Sequence, residues 1–402
     1  MTVLQDNEAV VDRIVLGRTV NKSGVQLTGG NDALNTIVPY SDGLYYDNRK
    51  TVRIAQEDVL PIDHRFGFHP AMRAIKPFWD DDKMAIIAGV GYPNPNYSHF
   101  RSMDIWYTCE PDKVATDGWL GKTVRKIDPK AENVLTAVNF GRGLPRALSL
   151  AGVPVASVAQ LDSYGLLTSL SSVPQRQSAL EVFSCLYDDG WNDQGVGSGD
   201  GVKAARPGDE VLRYMGQTGL DAQKGADILR TAIGKYQSTV NYPKSPIAEN
   251  LKGIAQVKLA ELGTRVFYTS HGTFDTHATQ LPTHAKLWQE VSEGVAAFFD
   301  DLRAHDAADD VVMLVWSEFG RRVKDNGAGT DHGAGSVALI LGDRVKGGMY
   351  GEYPSLKPSD LTLGNLKYNV DFRSAYATIL DQWMQVEAEP IVNGKFEEFA
   401  II

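Results

Sequence analysis

The chain of 402 residues is long enough for one large domain or two ordinary ones, and its 43% hydrophobic and 22% charged residues are typical of a soluble globular protein. The formal net charge of −10 argues against a nucleic-acid-binding surface, which normally needs a basic face. No apolar run approaches the roughly 20 residues that span a membrane. The two cysteines, Cys109 and Cys185, do not indicate a disulfide framework.

The first 24 residues predict no export signal. The apolar core of a signal peptide is missing because charged side chains interrupt the segment, namely Asp6, Glu8, Asp12, Arg13, Arg18 and Lys22. We therefore expect residues 1–24 to form an N-terminal extension of a cytoplasmic protein. Export is the alternative, with an upstream signal already removed.

The first informative segment, at 25–36, is Val-Gln-Leu-Thr-Gly-Gly-Asn-Asp-Ala-Leu-Asn-Thr. It predicts a short strand that ends at two glycines, which let the backbone turn sharply. Asp32 follows the turn, and two roles stay open for it: helix N-cap or metal ligand at the mouth of the sheet. Asn31 and Asn35 beside it are candidate substrate-binding residues.

Residues 84–90 predict a second buried strand. Pro93 and Pro95 prevent a helix from starting directly after it, so that Ser98 becomes a candidate helix N-cap. The Ser98 hydroxyl has a second interpretation as a nucleophile, because helix N-termini favour anions and a metal can activate a hydroxyl against a phosphate or sulfate ester.

The neighbours of Ser98 suit the same chemistry. His99 and Arg101 fit an anionic substrate, although either is equally compatible with a structural role. The middle of the chain carries weaker signals. Short strands and loops are expected over 133–159, a loop over 188–200, and helices over 209–236, 247–262 and 284–305.

Three further apolar runs lie at 265–268, 311–316 and 336–341. The run at 311–316 has the length and β-branched content of a buried central strand. The alternation of strands and helices through 264–342 predicts a parallel sheet built of βαβ units. Open sheets of this kind bind ligands at the carboxyl ends of their strands.

Three polar clusters lie beside these runs: S-H-G-T-F-D-T-H at 270–277, W-S-E-F-G-R-R at 316–322 and G-T-D-H-G at 329–333. They hold three acidic residues and three histidines, which are ligand types that metals use. A metal site at the strand ends is therefore the first hypothesis.

Each candidate ligand also has a structural interpretation. The spacing of Asp275 and His277 is common by chance, Glu318 can cap a helix or pair with a neighbouring arginine, and a histidine in a glycine-rich loop, such as His332, is often simply exposed. The shared placement beside strands that should be neighbours favours metal binding.

Five segments carry a resemblance to a known family: G-G-N-D-A-L-N-T, Y-P-N-P-N-Y-S-H-F-R-S-M-D-I-W, F-D-T-H, S-E-F-G-R-R and G-T-D-H-G. In this order they resemble the bacterial domain-of-unknown-function family 1501, from about Val25 to the D-F-R-S-A-Y helix at 371–376 and beyond. That family is similar to the alkaline phosphatase and sulfatase superfamily. The resemblance implies a doubly wound α/β sandwich with a mainly parallel sheet, as one domain over 25–402 with a helical and loop insertion at about 185–262.

The resemblance implies roles for single residues. Asp32 matches the ligand Asp after the first strand, and Ser98 is the only hydroxyl in the region 94–98 that should hold the nucleophile. Asp275 and His277 match an Asp followed shortly by a His, with a closer spacing than usual.

The last two motifs match less evenly. The superfamily's S-D-H-G becomes S-E-F-G here, so Glu318 replaces the acid whereas Phe319 cannot replace the ligand histidine. His332, followed by glycine, matches the last histidine ligand, and Asp331 adds an acid.

The implied cofactor is one or two divalent metals. A first ion would be zinc or manganese, and a second, oxygen-rich site would take calcium or magnesium or stay empty. The first ligand set is Asp275, His277 and His332. The second set is Asp32, Glu318 and Ser98.

The implied function is a metal-dependent hydrolase of small anionic phosphate or sulfate esters, with Arg101 and Arg321 holding the anion. The alternative is an inactive, sulfatase-like binding or scaffolding protein with a structural metal or none. Family members often begin with a twin-arginine export signal and a longer apolar first strand. Here only Val25–Leu27 precede Thr28, and Val10–Gly17 is an alternative source of the strand.

Overall fold

The computed structural model describes residues 21–159 and 238–402, together with positions 161, 172, 174–175, 178–179, 182, 225–229 and 236. The alternative strand at 10–17, the loop at 188–200 and most of the helix predicted over 209–236 lie outside the described residues. Within that last range, residues 225–229 are helical.

The fold is a mixed α/β structure, as predicted, whose strands form one large sheet and one small one. The strands, in chain order, are β1 Asn21–Thr28, β2 Ile37–Val38, β3 Leu60–Pro61, β4 Gly67–Phe68, β5 Met84–Gly91, β6 Ala137–Phe140, β7 Ala156–Val158, β8 Val266–Gly272, β9 Val311–Trp316, β10 Ser336–Leu341, β11 Gly348–Tyr350 and β12 Val370–Asp371. The small sheet has the order β2-β4-β3.

The helices flank this framework. They are α1 Ala33–Thr36, α2 Gly43–Asn48, α3 Lys76–Asp80, α4 His99–Thr108, α5 Trp119–Ile127, α6 Pro246–Leu259, α7 Gln280–Ala304, α8 Phe372–Thr378, which continues as a π-helix over Ile379–Met384, and α9 Glu389–Val392. Within the described ranges, no helix combines the length and the apolarity that crossing a membrane requires.

The large sheet has the order β11-β5-β10-β9-β1-β8-β6-β7, with β12 beside β5. The central strand β1 pairs in parallel with both β8 and β9. Among the described strands of this sheet, β10 alone runs against its neighbours, β5 and β9. The mainly parallel sheet is therefore confirmed, but the wholly parallel arrangement predicted over 264–342 is wrong at β10.

Successive side chains of the central strands enter two hydrophobic cores on opposite faces of the sheet. In β9, Met313 joins the core under α6 and α7, whereas Leu314 joins the core under α4, α5 and α8. Helices on both faces leave the central strands buried throughout, which is why their sequences are continuous apolar runs.

The first strand is longer than its apolar content suggests, because it begins at Asn21 rather than at Val25. Its polar start is buried: the Lys22 ammonium lies 3.4 Å from the centre of the Trp119 ring, and the Asn21 carbonyl accepts a hydrogen bond from the Trp383 indole at 2.9 Å. The local sequence pattern does not predict a strand for these polar residues. The long-range contacts stabilise them in one.

Candidate metal centre

The candidate site lies at one edge of the large sheet. The parallel strands β1, β5, β8 and β9 all end there. The antiparallel strand β10 begins there, which brings the loop before it, with His332, to the same edge as Glu318 after β9. If β10 ran parallel to β9, the loop with His332 would lie at the opposite edge of the sheet from Glu318. The antiparallel direction of β10 therefore brings these two residues to the same edge.

Two glycines let the chain leave β1 beside this edge. Gly29 and Gly30 have φ angles of 109° and 74°, in the left-handed region that L side chains avoid. A Cβ at Gly30 would lie 2.3 Å from the Phe319 ring, so the close approach also requires glycine. The sharp turn predicted after β1 is confirmed.

The centre of the site is the Asp275 carboxylate, which three histidines surround. Its Oδ1 atom lies 3.0 Å from His277 Nε2 and 3.1 Å from His332 Nε2. Its Oδ2 atom lies 3.4 Å from His99 Nε2. About a third of the Asp275 side chain is exposed (34%), so the cluster is open to solvent.

The Nδ1 atom of each histidine is held by an oxygen acceptor. His99 Nδ1 lies 2.9 Å from Glu318 Oε1, and His277 Nδ1 lies 3.2 Å from Asp331 Oδ1. His332 Nδ1 donates to the Tyr97 carbonyl at 2.7 Å. Because carbonyls and carboxylates accept, each Nδ1 donates to its oxygen, and Nε2 is the ring atom that faces Asp275.

This arrangement fits a divalent metal. A tetrahedral ion with bonds of 2.0–2.2 Å separates its ligand atoms by roughly 3.3–3.6 Å. Here Asp275 Oδ1, His277 Nε2 and His332 Nε2 are mutually 2.9–3.1 Å apart, so only a small opening is needed. The ligand atoms of His99, Asp275 and His332 also lie within 4.8 Å of one another.

The electrostatics of the cluster favour an ionised carboxylate. Partial burial alone would raise the pKa of Asp275, but hydrogen bonds and charges from Arg321, His332 and His277 outweigh it and hold the pKa at about 2. The hydrogen bond to Glu318 raises the pKa of His99 above its ordinary value.

The Arg321 side chain is fully buried and contacts the Asp275 carboxylate at the centre of the cluster. Its guanidinium donates to Asp275 Oδ1 at 2.6 Å and to the carbonyls of Gly30, Thr330 and Phe274 at 2.7–3.0 Å. These contacts occupy the donors that the predicted substrate-binding role would use. That role stays a prediction, and in this structure Arg321 holds Asp275 in place.

Glu318 and Phe319 line the interior of the site. The Glu318 side chain is fully buried, and its Oε1 accepts from the Gly29 N–H at 2.8 Å as well as from His99. The Phe319 ring is centred 4.9 Å from both the His99 and His332 rings. It therefore gives these two imidazoles an apolar contact surface.

Asp32 and its neighbours lie deeper in the structure. The Asp32 carboxylate is fully buried, accepts from Arg49 Nη2 at 3.0 Å and caps α1 through the Leu34 N–H at 3.2 Å. Burial alone would raise the pKa of Asp32, but the Arg49 charge lowers it overall. The N-cap interpretation of Asp32 is confirmed, whereas its role as a metal ligand stays a prediction.

The two asparagines proposed for substrate are buried as well. Asn31 Oδ1 accepts from His284 and from Trp288, both at 3.1 Å. Asn35 donates to the Val52 carbonyl at 2.6 Å. In this structure both amides serve the protein's own hydrogen-bond network.

Ser98 and Arg101 lie on either side of the start of α4. Ser98 occupies the N-cap position, as predicted, but its exposed hydroxyl makes no capping hydrogen bond. Arg101 donates to Asp104 Oδ2 at 3.2 Å and to the carbonyls of Pro111 and Lys113 at 2.8 and 2.9 Å.

Sequence reasoning missed two features of this site. It named His99 for the substrate, a role that stays a prediction, but not the contacts of His99 with Asp275 and Glu318, which join it to the cluster. It also gave no role to the backbone of Tyr97, because a carbonyl contact across 235 residues has no sequence signature.

The comparisons with known proteins point the same way as the motifs. Residues 212–392 match the family model described as "Protein of unknown function (DUF1501)". The match includes Asp275, His277, Glu318 and His332, and it confirms the predicted resemblance over this part of the chain. No curated protein matches the sequence significantly.

Solved structures that match this chain include a sulfatase, a phosphoethanolamine transferase domain and the periplasmic domain of EcEptC. The PsFucS1 sulfatase from Pseudoalteromonas sp. has a TM-score of 0.42 and 12% identity, with 97% of this chain and 72% of that chain covered. The soluble domain of lipooligosaccharide phosphoethanolamine transferase A from Neisseria meningitidis has a TM-score of 0.34 and 10% identity, with 81% and 78% covered.

The C-terminal periplasmic domain of EcEptC from Escherichia coli, in complex with Zn, has a TM-score of 0.33 and 10% identity, with 81% of this chain and 74% of that chain covered. Because these TM-scores lie below 0.5, we interpret the site from its own geometry.

Proposed function

We propose that the protein is a metal-dependent hydrolase of phosphate or sulfate esters, built on an alkaline-phosphatase-like α/β sandwich. One observation supports this above all: three Nε2 atoms lie 3.0–3.4 Å from one carboxylate, while an oxygen acceptor holds each Nδ1. Imidazole nitrogens that converge on one carboxylate, with an oxygen acceptor that orients each ring at its other nitrogen, are typical of metal sites.

In this proposal Asp275, His277 and His332 hold the metal. Their three ligand atoms form the tightest triangle of the cluster, and one carboxylate with two imidazoles suits zinc or manganese. Asp331 orients His277, and Glu318 orients His99. His99 lies on the other oxygen of Asp275, where it can contact a substrate.

Ser98 is the proposed nucleophile. Its hydroxyl is exposed and makes no capping bond, and the preceding residue, Tyr97, binds His332 through its carbonyl. The N–H groups at the start of the ten-residue helix α4 favour an anionic ester beside it. A bound divalent metal would polarise the ester oxygen and make the hydroxyl easier to deprotonate.

A second candidate is an inactive binding or scaffolding protein with a structural metal. Two observations favour it: Phe319 stands where the superfamily has a ligand histidine, and Arg49 pairs with the Asp32 carboxylate that a second metal would need. If His99 is a fourth ligand, the site would also be closed, as structural zinc sites are.

The first test is elemental analysis of the purified protein, of His277→Ala and of the control His64→Ala, whose side chain is exposed. We expect about one equivalent of zinc or manganese per chain in the wild type and the control, and little in His277→Ala. Absence of metal from the wild type, even after reconstitution, would overturn the proposal.

The second test separates the two candidates. A hydrolase requires that Ser98→Ala abolishes turnover of aryl phosphates or sulfates while metal content and melting temperature stay at wild-type values. His99→Ala should keep its metal and lose activity. If the metal-loaded wild type turns over no ester and His99→Ala loses its metal, the structural-metal candidate is supported instead.

A further inference from the structure

A cavity of about 550 Å³ lies between α4 and the segment that follows β6. Its walls are largely apolar and include Phe100, Met103, Tyr107 and Leu144. This volume falls within the range of small-molecule sites, about 300–1,000 Å³. The cavity is therefore large enough for a group of one or two rings.

Helix α4 carries residues of both the cavity and the candidate active site. Phe100 directly follows His99, and 86% of its surface is exposed, which is unusual for a large apolar side chain. Leu144, 49% exposed, follows β6, which runs parallel to β8 and so ends at the same edge of the sheet. Two exposed apolar side chains thus line one cavity, at the edge of the sheet where the candidate active site lies.

The wall formed by α4 is held in place. The Tyr107 hydroxyl donates to Gln26 Oε1 at 2.7 Å, which fixes the far end of the helix to the central strand β1. At the other end, His99 is tied to the buried Glu318. A wall fixed at both ends lowers the entropic cost of binding a ligand against it.

The polar side of the cavity carries a net positive charge. Arg101 and Arg146 both pair with the single carboxylate of Asp104. The Asp104 side chain is only 10% exposed, whereas that of Arg146 is 46% exposed. Two guanidinium groups against one carboxylate leave an excess positive charge that an anionic ligand can meet.

We propose that this cavity binds the organic part of the ester substrate, and that this part is a flat apolar group with a second anionic substituent. The apolar group lies against Phe100 and Leu144, and the anionic substituent faces Arg146. This assignment rests on the proposed hydrolase function, because it places the scissile ester at Ser98 and the metal cluster.

The cavity can be tested without turnover by titrating the full-length, metal-loaded protein with 2-naphthalenesulfonate and 2-naphthol in a calorimeter. We expect Phe100→Ala and Leu144→Ala to weaken sulfonate binding about tenfold each, the equivalent of about 1.4 kcal/mol. Arg146→Gln should remove the preference for the sulfonate over the neutral alcohol. Val114→Ala, an exposed apolar control that does not line the cavity, should bind as the wild type does.

The kinetic test compares 2-naphthyl and ethyl phosphates and sulfates. Phe100→Ala should raise KM for the naphthyl ester about tenfold, with kcat and the ethyl ester unaffected. Equal losses for both esters, or naphthalenesulfonate binding that Phe100→Ala and Val114→Ala change alike, would overturn the subsite. Phe100-dependent binding without turnover of any ester would support the cavity and overturn the hydrolase.

Discussion

The Nε2 atoms of His277 and His332 lie 2.9 Å apart, and an oxygen acceptor holds the Nδ1 atom of each ring. Two imidazole nitrogens at this distance share a proton or, in the proposed function, flank a bound cation. The short contact therefore marks the place where a divalent ion would separate the two rings.

The first prediction follows for thermal stability. Zinc at about 100 times its dissociation constant should stabilise the wild type by about 2.7 kcal/mol, because the ion binds only the folded chain. A chelator should reverse the rise in melting temperature, measured by circular dichroism. His332→Ala should respond much less, and an equal response would show that zinc binds elsewhere.

The second prediction concerns Glu318, whose buried carboxylate serves both His99 and the Gly29 N–H. Glu318→Gln keeps an acceptor of the same shape, so the fold and the metal content should survive while ester turnover falls about 10–100-fold, because His99 is oriented less firmly. Glu318→Ala leaves the Gly29 N–H without this acceptor and should cost about 1–3 kcal/mol of unfolding free energy. Ester kinetics, metal analysis and urea denaturation of both variants check this. Unchanged turnover in Glu318→Gln would show that His99 does not depend on the Glu318 carboxylate.

The third prediction concerns the buried pair of Arg49 and Asp32. Arg49→Met leaves an uncompensated buried carboxylate and should lower the unfolding free energy by about 3–5 kcal/mol. The double variant Arg49→Met with Asp32→Asn should recover part of this loss. If Asp32 is structural, Asp32→Asn will retain the metal; loss of metal would assign it to a second site instead.

The fourth prediction is a pH dependence from two buried histidines. Burial lowers the pKa of His69 to about 4 and that of His284 to about 3. The unfolded chain binds these protons below about pH 6.5 and the folded chain does not, so stability is complete above pH 6.5 and falls toward pH 4.

The free energy of unfolding should fall by up to about 1.4 kcal/mol per pH unit for each histidine as the pH is lowered. Urea denaturation at pH 7.5, 6 and 5 measures it. His284→Gln, which can still donate to Asn31 Oδ1, should show a shallower slope than the wild type. If the free energy of unfolding falls equally steeply with pH in His284→Gln and in the wild type, other groups control the acid sensitivity.

The sequence predicted most strands of the large sheet because buried strands are continuous apolar runs. β5, β9 and β10 begin where those runs begin. It missed the start of β1, since Lys22 is accommodated by the Trp119 ring, a contact that folding alone creates. It also missed the direction of β10, because pairing direction depends on the connection and not on the strand.

For the site, the sequence predicted which residues come together, but not which atoms of their side chains are in contact. Asp275, His277 and His332 meet as expected. The division between side chains at the centre of the cluster and side chains that orient them depends on which atoms are in contact, as between Glu318 and His99. Contacts between residues more than 200 positions apart leave no local pattern to read.

The antiparallel direction of β10 has a consequence for how the chemistry of this fold can vary. The connection from β9 to β10 returns along the same edge, closed by hydrogen bonds from Gly320 N to the Ala334 carbonyl at 3.0 Å and from Gly333 N to the Gly320 carbonyl at 2.8 Å. The connection therefore carries one candidate ligand, His332, together with Glu318 and Arg321, which hold His99 and Asp275. A change in this one segment would alter several parts of the site at once, while the paired residues of β9 and β10 stay the same.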